Sequence, residues 1–265
     1  MPPVPPERSA SLAPARPVAL VTGGAVRIGR AIGLALVTAG YDLAIHARHE
    51  LPECAALERD VAALGGRTAC LYGDLDDPAV VARLVPDAMA ALGPVALLVN
   101  NASEFRDDAI GTLDLAQWDR HFAVNLRAPV FLAESLATHL PEGMAGAVVN
   151  ILDQRVLKPV PRHLSYSLTK CALHAATAMM AQALAPRRIR VNAVAPGPTL
   201  RNTRQDAGAF ARQSASVMLG RGPSPEEIAQ AVLFLAAAHS VTGQTLAVDG
   251  GQHLAWQTPD ATGEE

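Results

Sequence analysis

Cysteine is scarce in this chain of 265 residues: Cys54, Cys70 and Cys171 are scattered, odd in number and without metal-ligand spacing. That argues against a disulfide framework and for a reducing, cytoplasmic setting in which the thiols act as small buried apolar groups. No block of Lys and Arg stands out and the formal charge is only −3, which leaves nucleic acid out as a general partner. Charges or glycines interrupt the longest apolar runs, so none can span a bilayer and no membrane partner is expected. The N-terminal stretch MPPVPPERSASLAPARP has no apolar segment of the kind a secretory signal carries. Residues 1–16 and 256–265 are expected to be loose tails. Aromatics make up 4% of the chain, whereas half of it is apolar, mostly Ala, Val and Leu. That balance suits helices packed on a buried parallel sheet.

Short apolar runs alternate with longer segments of helical period. Strands are expected over 17–23, 41–47, 67–75, 94–103, 146–152, 188–197 and 244–251, and helices over 27–40, 50–66, 78–93, 114–140, 163–185 and 224–238. Pro86 should bend or break its helix. Trp118, Phe122, Leu126, Leu132 and Leu136 mark one helical stripe. Ser224, Pro225 and Glu227 form a capping box. The alternation predicts an α/β chain with a doubly wound, Rossmann-type parallel sheet in a single domain, 17–255. Segment 198–222 shows neither period and reads as a lid or binding loop; Arg201 and Arg204 within it read as mobile surface residues.

Three stretches carry chemistry. TGGAVRIG (22–29) joins the first strand to the first helix; Gly23 and Gly29 permit a tight turn, and the helix start offers free N–H groups to a phosphate. Tyr166 and Lys170 stand four apart on a predicted helix and share a face. An ammonium there is expected to lower the phenol's pKa from about 10. Asp153 sits thirteen residues before Tyr166, where a strand leaves the core and no carboxylate is structurally needed.

These residues resemble the short-chain dehydrogenase/reductase family, whose turn reads T-G-x-x-x-G-x-G, over about residues 17–255. Arg27 replaces the middle glycine, Ser103 the last glycine of the family's N-N-A-G, and Asp153 its serine. With Phe105, these departures are similar to the pteridine reductase branch. The resemblance implies NADP(H) as cofactor, held by the turn residues Gly23, Arg27, Ile28 and Gly29. His46, Arg48 and His49 end the second strand with no acid before Glu50, and this positive cluster suits a 2′-phosphate. Asp74 and Leu75 are implied at the adenine. Asn101, Ala102 and Ser103 flank the adenosine side, with the Ser103 hydroxyl near the phosphates. Pro196, Gly197 and Thr199 cover the nicotinamide amide. Tyr166 donates a proton, Lys170 holds the nicotinamide ribose, and Asn125 supports a water chain behind the lysine. Asp153 and Phe105, with Ser103, face a pterin-like small-molecule substrate. A homotetramer and no metal are implied. The function expected is reduction of a pterin or dihydropterin. The alternatives are a carbonyl reductase for an oxo-acyl or sugar-like substrate and a protein that senses NADP(H) without turnover.

Overall fold

The computed structural model describes residues 16–201 and 206–256. The expected tails, apart from Arg16 and Trp256, lie outside the described residues, as does Arg204. In chain order the elements are β1 (Val18–Thr22), α1 (Arg27–Thr38), β2 (Asp42–Ala47), α2 (Pro52–Ala63), β3 (Thr68–Tyr72), α3 (Pro78–Leu92), β4 (Val95–Asn100), α4 (Leu115–Phe122), α5 (Ala128–His139), β5 (Gly146–Ile151), α6 (Leu164–Leu184), β6 (Ile189–Pro196), α7 (Ala207–Ala215), α8 (Pro225–Ala237) and β7 (Thr245–Val248). The seven strands form one sheet in the order β3-β2-β1-β4-β5-β6-β7. Every pairing is parallel, as the alternating pattern predicts.

A strand covered on both faces must be apolar along its whole length. VALVT of β1 is buried throughout. Two cores result. On one face Ile32 and Leu36 of α1 and Ile228, Val232 and Leu235 of α8 pack on Leu43, Ile45, Leu97 and Val149. On the other, Leu84 and Val85 of α3 and Leu132 and Leu136 of α5 pack on Leu20, Leu98, Val148 and Val191. The strand order reverses between β1 and β4. In open α/β sheets that point leaves a crevice at the carboxyl ends of the strands, where ligands bind.

Four local expectations need correction. Pro86 does not break α3, which runs from Pro78 to Leu92 around it. The proline deprives only the Ala82 carbonyl of a donor, and Ala82 is exposed to water, while Val80, Val81, Leu84, Val85 and Ala88 anchor the buried face. The helix over 114–140 is two helices joined by a π-helical stretch, Ala123–Arg127. Its wider turn shifts the helical phase, so Trp118 and Phe122 stack on each other at 4.8 Å while Leu132 and Leu136 enter the core. Segment 198–222 contains α7, capped by Asp206 accepting from the Ala209 N–H at 2.9 Å. Its Ala-rich sequence, with Phe210 as the one large apolar residue, shows no apolar stripe to reveal it. Arg16 is anchored, donating to the Tyr41 carbonyl at 3.0 Å and lying 3.5 Å from Asp42. The capping box of α8 is present as read, with the Ser224 N–H donating to Glu227 at 2.8 Å.

Asn100 and Asn150 are paired in register across β4 and β5. Asn100 Nδ2 donates to Asn150 Oδ1 at 2.9 Å, and Asn150 Nδ2 donates to Thr177 Oγ1 of α6 at 3.0 Å. All three side chains are buried, so this chain of bonds fixes α6 against the sheet. Asn150→Ala removes one of the two acceptors of the Asn100 amide, which keeps only the Pro129 carbonyl at 3.3 Å, and should destabilise the fold by about 2 kcal/mol, read as a lowered urea midpoint. An unchanged midpoint would show that the chain of bonds is not structural.

Candidate active site

A cavity of about 1240 Å³ opens at the carboxyl ends of the strands. Small-molecule pockets occupy roughly 300–1,000 Å³, so there is room for a dinucleotide and a second ligand. The turn 23–29 forms one end of its wall. Gly23 has φ +60, a left-handed conformation that glycine adopts without strain. A Cβ on Gly29 would lie 2.2 Å from the Gly23 carbonyl oxygen, so only glycine lets helix and turn approach this closely. Helix α1 begins with no side-chain cap and no acid in its first turn. Its leading N–H groups and positive dipole end are therefore available to a phosphate. These features fit a dinucleotide diphosphate.

Arg27 adopts φ 54 at the position of the missing glycine. Its guanidinium donates to the carbonyls of Arg201 at 2.9 Å and Leu200 at 3.2 Å. It lines the cavity and fastens the loop after β6 to the first turn. Ile28 and Leu75 contribute apolar wall. Asn101 Nδ2 donates to the Thr22 carbonyl at 2.9 Å, and the Ala102 N–H donates to Thr22 Oγ1 at 3.0 Å. Thus β4 is buttoned to the turn. Pro196, Gly197 and Thr199 also line the cavity, and Thr199 Oγ1 donates to the Gly197 carbonyl at 3.1 Å.

The expected positive cluster is reduced to one side chain. His46 is buried, and burial pushes its pKa down. Its Nδ1 accepts from the Gly23 N–H at 3.4 Å while Nε2 faces the Gly73 carbonyl at 2.9 Å. A neutral ring satisfies both bonds. His49 is exposed and outside the cavity wall. Arg48 remains, 3.1 Å from Glu104 and 3.7 Å from Asp74. The Asp74 carboxylate, expected near adenine, also meets Arg120 at 3.0 Å. Burial pushes the Glu104 carboxyl up, but Arg120 and Arg106 outweigh it and hold the group below its usual range.

At the other end of the cavity, Tyr166 Oη donates to Asp153 Oδ2 at 3.0 Å. The same carboxylate accepts from the Arg155 N–H at 2.9 Å and from Arg155 Nη1 at 2.8 Å. Asp153 is thus a turn cap as well as the phenol's acceptor. Lys170 Nζ donates to the Ile151 carbonyl at 2.8 Å and lies 5.8 Å from the centre of the Tyr166 ring. The expected lowering of the phenol pKa is reversed. Burial, reinforced by the Asp153 charge, pushes Tyr166 well above 10. Burial pushes Lys170 down to about 8, with Asp153 opposing. Phe105 meets the Tyr166 ring edge-on, centroids 4.7 Å apart at 88°.

Asn125 is buried in the π-helical stretch, which is a common setting for functional residues. Its Oδ1 accepts from the Glu104 N–H at 2.8 Å and from Ser103 Oγ at 3.1 Å. Its Nδ2 donates to the Glu104 carbonyl at 2.9 Å and Thr169 Oγ1 at 3.3 Å. A carboxamide offers two acceptor and two donor sites, so the side chain has nothing left for a water chain. The Ser103 hydroxyl correspondingly points to Asn125 rather than toward the helix start.

Residues 24–253 match the family model described as Enoyl-(Acyl carrier protein) reductase. The chain is 31% identical over 252 residues to a short-chain type dehydrogenase/reductase of Picea abies, covering 89% of this chain and 92% of that one. The chain belongs to the short-chain dehydrogenase/reductase family. It is also 31% identical to the 2-dehydro-3-deoxy-D-gluconate 5-dehydrogenase of Escherichia coli, over 88% of this chain and 94% of that enzyme. Among solved structures it is similar to FolM alternative dihydrofolate reductase 1 from Brucella canis, complexed with NADP. The TM-score is 0.88 and the identity 50%, over 93% of this chain and 97% of that one. That likeness fits the pteridine-reductase-like branch of the family.

Several site residues of this family member escaped the sequence reading. Glu104, Arg120 and Arg155 shape the charge around the cavity, yet their partners lie far apart in sequence or in an unrecognised turn. Helix α6 starts at His163 with φ 54 and no side-chain cap. Asp108 supplies the cap instead, accepting from the Ser165 N–H at 3.1 Å, and its carboxylate also accepts a hydrogen bond from the Ser165 hydroxyl. His121, kept neutral by burial, closes this knot by accepting from the Arg106 N–H at 3.2 Å.

The Lys170 shift has a measurable sign. An unfolded lysine keeps its proton to about pH 10.4, whereas the folded one loses it near 8. Between those values the unfolded state holds the extra proton, so the residue's contribution to stability increases with pH. The unfolding free energy of wild type minus that of Lys170→Met should therefore rise from pH 8 to pH 10, by at most about 1.4 kcal/mol per unit. A flat difference would mean that Lys170 titrates normally.

Proposed function

We propose that this NADP-dependent oxidoreductase reduces a C=N bond in a pterin or dihydropterin. The observation that carries the reading is the hydrogen bond from Tyr166 Oη to Asp153 Oδ2. A serine at that position would offer a donor to a ketone oxygen. An ionised carboxylate has no donor and repels that oxygen, but it accepts an N–H of a nitrogen heterocycle. NADPH, when bound, supplies a hydride to the ring carbon. The protein supplies the proton. Burial raises the Tyr166 pKa, so the phenol carries its proton at neutral pH and can pass it from Oη to the neighbouring ring nitrogen.

Asp153 orients that hydroxyl and receives substrate N–H groups, while its two bonds to Arg155 fix the carboxylate plane. Lys170, tied to the end of β5, places a cation below the phenol and favours the phenolate left after transfer. Phe105 gives a flat ring an aromatic wall beside Tyr166, where offset stacking is worth on the order of 1 kcal/mol. The likeness to the Brucella canis protein, FolM alternative dihydrofolate reductase 1, supports a reduced-pterin type of substrate over a sugar acid.

NADPH oxidation should be seen with dihydropterins and not with oxo-acyl or sugar substrates. Asp153→Ser should lower kcat/KM for the dihydropterin by about 100-fold or more while leaving the NADPH Kd within about threefold. Turnover of ketones alone would favour the carbonyl reductase alternative. NADPH binding with no turnover of any of these compounds would favour a sensing protein.

A further inference from the structure

Gln154 follows Asp153 directly and opens a short 3-10 turn, Gln154–Val156. It is 6% exposed and forms part of the cavity wall. Its backbone carbonyl is engaged, accepting from the Leu157 and Lys158 N–H groups at 2.9 and 3.2 Å. Its side chain is not: Oε1 is buried and meets no donor among the described residues. Buried polar groups are nearly always paired, and an unpaired one is costly. Leucine or methionine would fill the same space without that cost. A carboxamide kept beside the reactive carboxylate calls for a partner from outside the chain.

We propose that Gln154 selects the substrate, its carboxamide hydrogen-bonding the polar edge of a planar nitrogen heterocycle whose N–H meets Asp153. The inference rests on the pterin reading above and adds to it the group that tells such a ring from other substrates. A carboxamide carries an acceptor and two donors in one plane. The edge of a cyclic amide or amidine carries the complementary set. Asp153 can only accept, so it recognises an N–H but not a ring carbonyl or an imine nitrogen. Gln154 Oε1, the unpaired acceptor, takes a second N–H of the same edge, and its Nε2 donates to the neighbouring ring carbonyl or imine nitrogen. An acyl chain brings no such edge and would leave the buried carboxamide unpaired, and a sugar's hydroxyls are not held in one plane to match it. Sites of this kind discriminate strongly against compounds that cannot complete the bonds.

Gln154→Met keeps the length of the side chain and removes its donors and acceptor. The test compares it with wild type in three measurements: NADPH Kd, Tm with NADPH present, and KM and kcat for 7,8-dihydrobiopterin at saturating NADPH. The expected result is a KM raised about tenfold, the loss of one good hydrogen bond, with kcat and NADPH Kd within about threefold and Tm equal or higher. An unchanged KM overturns the proposal, because the carboxamide is then satisfied by water or left unpaired. A fallen Tm with lost NADPH binding also overturns it, because the side chain then holds the fold. Wild type that binds NADPH but leaves dihydrobiopterin unreduced overturns the pterin reading itself and this inference with it. The wild-type arm therefore separates the two failures.

Discussion

A phenol that is almost wholly buried must donate its proton to an acceptor, and Tyr166 donates to Asp153. The pairing sets the chemistry of the whole cavity end. The carboxylate makes the phenol harder to ionise, and Arg155 holds the carboxylate in place. Lys170 answers from the other side, bound to the last residue of β5. For these groups to meet, the end of β5 and the first turns of α6 must keep a fixed separation. The Asn100–Asn150–Thr177 bonds provide that constraint from inside the core, where solvent cannot compete.

A second constraint couples the two ends of the cavity. The loop after β4 carries Ser103, Glu104, Phe105 and Asp108 within six residues. Asn125 grips the backbone at Glu104, the Glu104 carboxylate draws in Arg48, Arg106 and Arg120, and Asp108 caps α6. The loop that sets the charge around Arg48 therefore also sets the position of Phe105 beside Tyr166. The Arg48 guanidinium is shared with two carboxylates, so an anion at that corner would have to compete with them. A fixed arrangement of paired charges gives up some affinity but defines where a phosphate can bind.

The fold could be read from the sequence because it rests on periodicity. Fully buried runs such as VALVT in β1 and the capping box at Ser224 signal themselves within a few residues. The pairing of Asp153 with Tyr166 was also legible, as a carboxylate out of place at a telling distance. The remainder depends on contacts that local pattern does not encode. Helix α7 lacks an apolar stripe. Pro86 is tolerated because packing on both sides outweighs one lost bond. The π-helical turn at Asn125 differs from α-helix only in closing its hydrogen bonds one residue further along the chain. His46 looked like a cation, and only its burial between two backbone groups makes it neutral. The direction of the Tyr166 shift is hidden in the sequence for the same reason, since spacing reveals the lysine but not the depth of burial.

The central claim is that the Asp153 carboxylate, on top of burial, holds the Tyr166 proton. The chain has three tyrosines, few enough to resolve by ring-carbon NMR of tyrosine-labelled protein across an alkaline titration. In Asp153→Asn the Tyr166 resonance should titrate at lower pH than in wild type, with the signals of Tyr41 and Tyr72 unmoved. A Tyr166 titration unchanged by the substitution would contradict the account, because the phenol would then owe its proton to burial alone.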